Sequence, residues 1–200
     1  IDSGSVFIDE PNVLSVSDST TDVSCNGGND GSVTVYISGG TQTYTINAFG
    51  LSQPLLGSSI YTTPVGIAAG NYPYSISDGN GCTTNTNNII INEPSALNVS
   101  SSTTDVSCNG GNDGTASLTI SGGTSPYSID WFGADTMALY AGTYPYTVTD
   151  DNGCVDSGSV VINEPNVLSI SSSTTDVSCN GGNEGTAALT ISGGTSPYSI

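Results

Sequence analysis

A twelve-residue segment, STTDVSCNGGND, surrounds Cys25 and then Cys108, and it returns as STTDVSCNGGNE around Cys179. Near-identity of this kind marks a chain assembled from like units and rules out one irregular globule. The copies are spaced 83 and 71 residues apart. A second set of signals closes each unit: NGC ending at Cys82 and Cys154, then NEP ending at Pro94 and Pro165, with DEP ending at Pro11. The boundaries follow. Residues 1–11 are expected to be the last strand of a preceding repeat, 12–94 a complete repeat with a long mid-loop insertion, 95–165 a complete shorter repeat, and 166–200 the first half of another.

Counting places the insertion. Cys25 to Gly40 and Cys108 to Gly123 both span 15 residues, and Gly70 to Cys82 and Gly142 to Cys154 both span 12. Gly40 to Gly70 spans 30 where Gly123 to Gly142 spans 19, so the extra length falls almost wholly in one segment, read here as a surface loop. Elsewhere apolar residues alternate with period two: Ala116, Leu118 and Ile120; Tyr127, Ile129 and Trp131; Tyr144, Tyr146 and Val148. These are strands with one buried face, punctuated by Gly122-Gly123, Asn112-Asp113-Gly114 and Asp151-Asn152-Gly153. The fold class is all-β.

The charge balance excludes whole classes of function. Lysine, arginine and histidine are absent, and 18 acidic residues give a net charge of −18. No cation is available for phosphate backbones or anionic lipid, so neither nucleic acid nor a charged membrane surface is a partner. Without histidine there is no Ser-His-Asp triad and no side chain that titrates unperturbed near neutrality. No carboxylate pair is set out for glycoside hydrolysis. The chain reads as a non-enzyme, and no apolar run is long enough to insert into a bilayer.

Two features resemble the immunoglobulin-like (PKD-like) β-sandwich. Trp131 falls where a core tryptophan is expected, and Leu139-x-x-Gly142-x-Tyr144 looks like a tyrosine corner, as does Ile67-x-x-Gly70-x-Tyr72. On this reading Trp131, Tyr127, Tyr144, Tyr72 and Leu139 belong to the core. Ala48 stands in the first repeat where Trp131 stands in the second, and Phe49, Leu51, Leu55, Leu56 and Ile60 of the insertion are candidates to refill that space. Phe132, Phe49 and Tyr61 are the candidates for surface contact. The fuller pattern, CNGGNDGTASLTISGGTSPYSIDW, then AGTYPYTVTDDNGC, then VVINEP, resembles the SprB-type repeat of Bacteroidetes gliding-motility adhesins. The first repeat departs from it at Thr43 and Ala48, where Pro and Trp are expected. The resemblance implies tandem sandwiches in a linear array, forming the shaft of a long extracellular cell-surface adhesin or filament exported by type IX secretion. Its partners would be neighbouring repeats of the same chain, other copies in a filament, and a surface or glycan ligand. The rival reading is a carbohydrate-binding or accessory module of an extracellular polysaccharide-degrading protein.

Export through an oxidising envelope makes disulfides the expected state of the five cysteines. In a seven-stranded sandwich the second and sixth strands run the same way, so a cysteine before one and a cysteine after the other lie at opposite ends. The run from Leu97 to Cys108 covers roughly 35 Å at ~3.3 Å per residue, whereas a disulfide needs Cα atoms within ~7 Å. Staggered pairing between repeats, Cys25 with Cys154, is therefore expected, with Cys82, Cys108 and Cys179 paired beyond residues 1–200. The alternative is pairing within repeats, Cys25 with Cys82 and Cys108 with Cys154.

No cofactor is expected, with calcium the one ion to consider. Asp105, Asp113, Asp150, Asp151 and Glu164 offer hard oxygen ligands near the repeat junctions; the competing reading is a solvated acidic surface with Asx turns. Asp18-Ser19-Thr20 and Asp135-Thr136-Met137 resemble the short O-glycosylation motif of Bacteroidetes, which makes Ser19 and Thr136 candidate glycosylation sites.

Overall fold

The structure, a computed structural model, describes residues 4–63 and 66–200, so residues 1–3 of the leading segment and residues 64–65 lie outside the described residues. It divides into two compact units, Ile1–Ala96 with Asn152–Cys154, and Leu97–Asp151 with Val155–Ile200. Among the described residues every regular element is a strand.

In the first unit β1 (Ser15–Thr21), β2 (Ser32–Ser38) and β5 (Ile60–Thr62) form one antiparallel sheet in the order β1-β2-β5. The second sheet has the order β4-β3-β6-β7, from β4 (Leu51–Leu55), β3 (Tyr44–Ala48), β6 (Gly70–Ser77) and β7 (Asn87–Ile91). Period-two alternation turns Val33, Val35 and Ile37 of β2 inward, and likewise Tyr44, Ile46 and Ala48, Tyr74 and Ile76, and Ile89 and Ile91. These side chains form one core between the sheets. Gly39 sits at φ +70° in the turn after β2, and a Cβ there would lie 2.0 Å from the Val13 carbonyl oxygen. Only glycine lets the segment entering β1 pass so close.

One expectation needs correction in this unit. The insertion is not a loop: it supplies β4, registered against β3 from Tyr44↔Leu55 to Ala48↔Leu51, and β5, registered against β2. Leu55 is buried, Phe49 and Tyr61 pack half-buried against the core, and Leu51, Leu56 and Ile60 stay exposed. Each sheet thereby gains a strand, which is how the space opposite Ala48 is covered. Residues 4–11, expected as the last strand of a preceding repeat, pair with none of the described strands and leave Val6, Phe7 and Ile8 exposed. The counterpart in the second repeat, Val155–Ile162, pairs with Gly142–Thr149 of that same repeat.

The second unit holds β8 (Asn98–Thr104) paired with β9 (Thr115–Ser121), and a sheet of β10 (Ser128–Asp130), β11 (Gly142–Thr149) and β12 (Val155–Ile162) in that order. β13 (Ser169–Thr175) and β14 (Thr186–Ser192) form a further antiparallel pair. The core gathers Val106, Ala116, Leu139, Tyr146, Val148, Val160 and Ile162, with Trp131 and Tyr144 packed half-buried against it. Trp131 lies 5.4 Å from Tyr146 between ring centroids. Tyr144 donates its hydroxyl to the Tyr140 carbonyl at 3.0 Å, and Tyr72 donates to Ala68 at 3.0 Å, which is the tyrosine-corner geometry in both repeats. Tyr127 departs from its expected core position: it is 37% exposed, with its hydroxyl donated to the Gly122 carbonyl at 2.6 Å. Its counterpart Tyr44 makes the same bond to Gly39 yet is only 6% exposed, because Leu55 of β4 stands opposite it. The second repeat has no such strand, and its β10 is three residues long.

Candidate functional site

The cysteines sit on two kinds of turn, each fixed by carboxylates. The first kind is the Ser-Cys-Asn-Gly-Gly turn. In the first repeat the Asp30 carboxylate accepts the Ser24 amide at 2.9 Å and the Ser24 hydroxyl, which holds it below the usual carboxylate range. Asp113 does the same for Ser107, whose amide donates at 3.0 Å, and Glu184, held down to about 2 chiefly by the Ser178 hydroxyl, does so in the third copy. The turn is then tied to the end of its own repeat. Gly27 donates to Glu93 at 2.6 Å and Gly110 to Glu164 at 2.7 Å, while the Asn26 and Asn109 side chains donate to the carbonyls of Pro94 and Pro165, both at 3.1 Å. Asp22 and Asp105 complete the seam by accepting the amides of Asn92 and Asn163, both at 2.8 Å.

The second kind is the Asp-x-Asn-Gly-Cys turn. Asp78 is buried, and its two oxygens accept the amides of Thr41 at 2.9 Å, Asn80 at 3.0 Å and Cys82 at 2.8 Å. These bonds, that from Thr41 foremost, hold its carboxyl below the usual range. Asp150 is buried likewise and accepts the Thr124 amide at 2.9 Å. Gly81 and Gly153 take φ of +83° and +84°, so each turn places a left-handed glycine immediately before its cysteine. Sequence reasoning missed these buried aspartates as anchors. The recurrence of Asp four residues before each cysteine was the signal that could have found them.

Within the first unit the two kinds of turn meet. Cys25 and Cys154 form a disulfide with Cα atoms 5.7 Å apart, and the Asn152 side chain donates to the Ser24 carbonyl at 2.9 Å. The pairings Cys25–Cys82 and Cys108–Cys154 are not formed, and Cys82, Cys108 and Cys179 are free, exposed thiols. In the second unit a cleft of about 420 Å³ opens beside Cys108, bounded by Asn109, Pro165, Leu168, Gly194 and Thr195.

The proposed calcium ligands are distributed instead of gathered. Asp105, Asp113, Asp150 and Glu164 each accept a different backbone amide, Asp151 is exposed, and among the described residues no three acidic or thiol groups converge on a common point. Ser19 is exposed on β1, and Thr136 is half-buried with its carbonyl accepting the Ala116 amide at 3.0 Å. Phe132 projects from the second repeat at 62% exposure.

The family model of the SprB repeat matches residues 17–47, 100–136 and 171–200. These segments are SprB repeats. Each match contains one Ser-Cys-Asn-Gly-Gly turn and ends before any Asp-x-Asn-Gly-Cys turn. SprB repeats mark a repeat segment of a cell-surface, adhesin-type protein. No curated protein matches the chain.

Proposed function

We propose that the chain is part of the shaft of a long secreted adhesin or extracellular filament, in which covalent bonds between successive repeats resist bending. The observation that carries this reading is the Cys25–Cys154 disulfide, which joins residues 129 positions apart that belong to consecutive sequence repeats. A repeat of this size is marginal on its own core, and a crosslink over so long a loop adds roughly 4–5 kcal/mol in the chain-entropy account. The absence of fixed cations fits a shaft as well. Acidic polymers repel one another until salt shortens the screening length, ~8 Å at physiological ionic strength, so long fibres do not bundle indiscriminately. Type IX export and service in gliding motility are the finer parts of the reading, suggested by the family.

Small-angle scattering on the purified chain, oxidised and reduced, tests the shaft. The oxidised chain should give the narrower distance distribution, and reduction or Cys154→Ser should broaden it. Identical profiles would count against a stiffening role. A glycan array run beside it tests the rival: saturable binding lost on Phe132→Ala would favour a carbohydrate-binding module.

A further inference from the structure

We infer that the cleft beside Cys108 is a docking site for a β-hairpin whose turn reads Asp-x-Asn-Gly-Cys, and that docking closes a second disulfide in the same register as Cys25–Cys154. This deepens the shaft reading by naming its joint.

Three places in the chain show the parts. Around Cys25 the cysteine side of the joint is complete: the thiol is bonded to Cys154, and the Ser24 carbonyl accepts the Asn152 side chain at 2.9 Å. Around Cys82 the other side is complete. There the aspartate of the turn is seated on the Thr41 amide at 2.9 Å, and the Gly79 amide donates to the Thr41 carbonyl at 2.9 Å. Thr124 repeats both contacts, with Asp150 and Asp151, at 2.9 Å each. Around Cys108 both walls are present together. Ser107, Cys108, Asn109 and Pro165 correspond by sequence to Ser24, Cys25, Asn26 and Pro94, and Thr195 corresponds to Thr41 and Thr124.

The walls are built to the same dimensions. The hydrogen bonds fixing the turn at Cys108 match those at Cys25 to within 0.1 Å: 2.7 against 2.6 Å for the glutamate and 3.1 Å in both for the asparagine. Gly27 and Gly110 take φ of +71° and +74°. Facing them, Thr195 lies close enough for its hydroxyl to reach the Ser107 carbonyl at 3.5 Å, and Leu168 lines the floor. The β13–β14 pair beside the cleft leaves Ile170 and Leu189 exposed, apolar side chains that an added hairpin would cover. A docked turn would place its aspartate on the Thr195 amide, its asparagine on the Ser107 carbonyl and its thiol on Cys108. The two thiols lose two protons and two electrons as the S–S bond forms, and a small-molecule disulfide such as oxidised glutathione takes them up to become two thiols.

The test uses the whole 200-residue chain and a synthetic peptide copying Gly142–Ile162, equilibrated in a glutathione redox buffer and mapped without reduction after chymotryptic digestion. The peptide should bond to Cys108 in preference to Cys179, which has the same local sequence but no counterpart of Pro165 within the chain, and in preference to Cys82. Peptides carrying Asp150→Ala or Asn152→Ala keep the thiol and should lose the preference. Equal labelling of the three cysteines, or a preference unchanged in the variant peptides, would each overturn the proposal. Such a failure leaves the scattering result on Cys25–Cys154 standing, so the two readings fail separately.

Discussion

The two complete repeats share their framework and differ in how they close the same space. In the first, Tyr44 and Ile46 are 6% and 2% exposed; in the second, their counterparts Tyr127 and Ile129 are 37% and 47% exposed. The first uses a small residue, Ala48, and two extra strands. The second uses Trp131, laid on Tyr146, and no extra strand. Length variation here is an exchange between side-chain volume and backbone, made at one position of the sandwich. The price of the shorter solution is a β10 edge left open.

The comparison is broken most severely by removing residues 51–62. Loss of Leu55 alone costs ~2–5 kcal/mol, against roughly 5–10 kcal/mol of total stability for a unit of this size, so the first repeat should lose its cooperative unfolding transition. Adding Ala48→Trp to the deletion should restore part of it. In the intact chain the same Ala48→Trp should instead destabilise by about 1–3 kcal/mol, because the site is already filled. Urea denaturation followed by far-ultraviolet circular dichroism checks all three, and a stabilised full-length Ala48→Trp would refute the exchange.

Trp131→Ala is the converse. Its half-buried ring sets the cost near the lower end of the range for large aromatics, about 3 kcal/mol, and the loss should fall on the second repeat alone. Trp131 is the chain's one tryptophan, so its emission follows unfolding of that repeat in the parent protein.

Much of this could be read in the sequence. The all-β class and the tyrosine corners followed from spacing and alternation, because these depend on local backbone preferences written into glycines and apolar periods. Tyr127 was misplaced for a different reason. Alternation identifies the inward face of a strand, but not whether a neighbouring strand exists to cover it. The insertion misled in the same way, since Leu51–Leu55 carries a proline and little alternation and becomes a strand by pairing with β3. The buried Asp78 and Asp150 went unnoticed because an acidic residue in a polar turn looks solvated until its amide donors are seen.

A smaller difference lies under the sheets. Tyr74 donates its hydroxyl to Asp18 at 2.9 Å, and burial first, then Asp18, pushes its phenol well above the usual range. In the second repeat Ser101 stands where Asp18 stands, and Tyr146 lies over Gly158. Tyr74→Phe should cost about 1 kcal/mol, since water can solvate the exposed Asp18 carboxylate once the donor is gone. Tyr146→Phe should cost less. Equal losses in thermal melts would show that the Asp18 bond adds nothing.

The smallest effect separates the two Asp-x-Asn-Gly-Cys turns. The Asp78 carboxyl has a folded pKa depressed below its unfolded value of 3.8, so its contribution is complete above that value and is lost as the pH falls through the folded pKa. Acid should therefore release the Cys82 turn, whose thiol is free, while the turn ending at Cys154 stays tethered through its disulfide. Amide chemical shifts of Thr41 and Cys82, which donate to Asp78, should titrate together with a midpoint below 3.8. Asp78→Asn should abolish that titration and leave the amides around Cys154 unchanged. A midpoint at or above 3.8 would mean that the carboxylate does not anchor the turn, and the equivalence of the two turns, on which docking at Cys108 rests, would lose its physical basis.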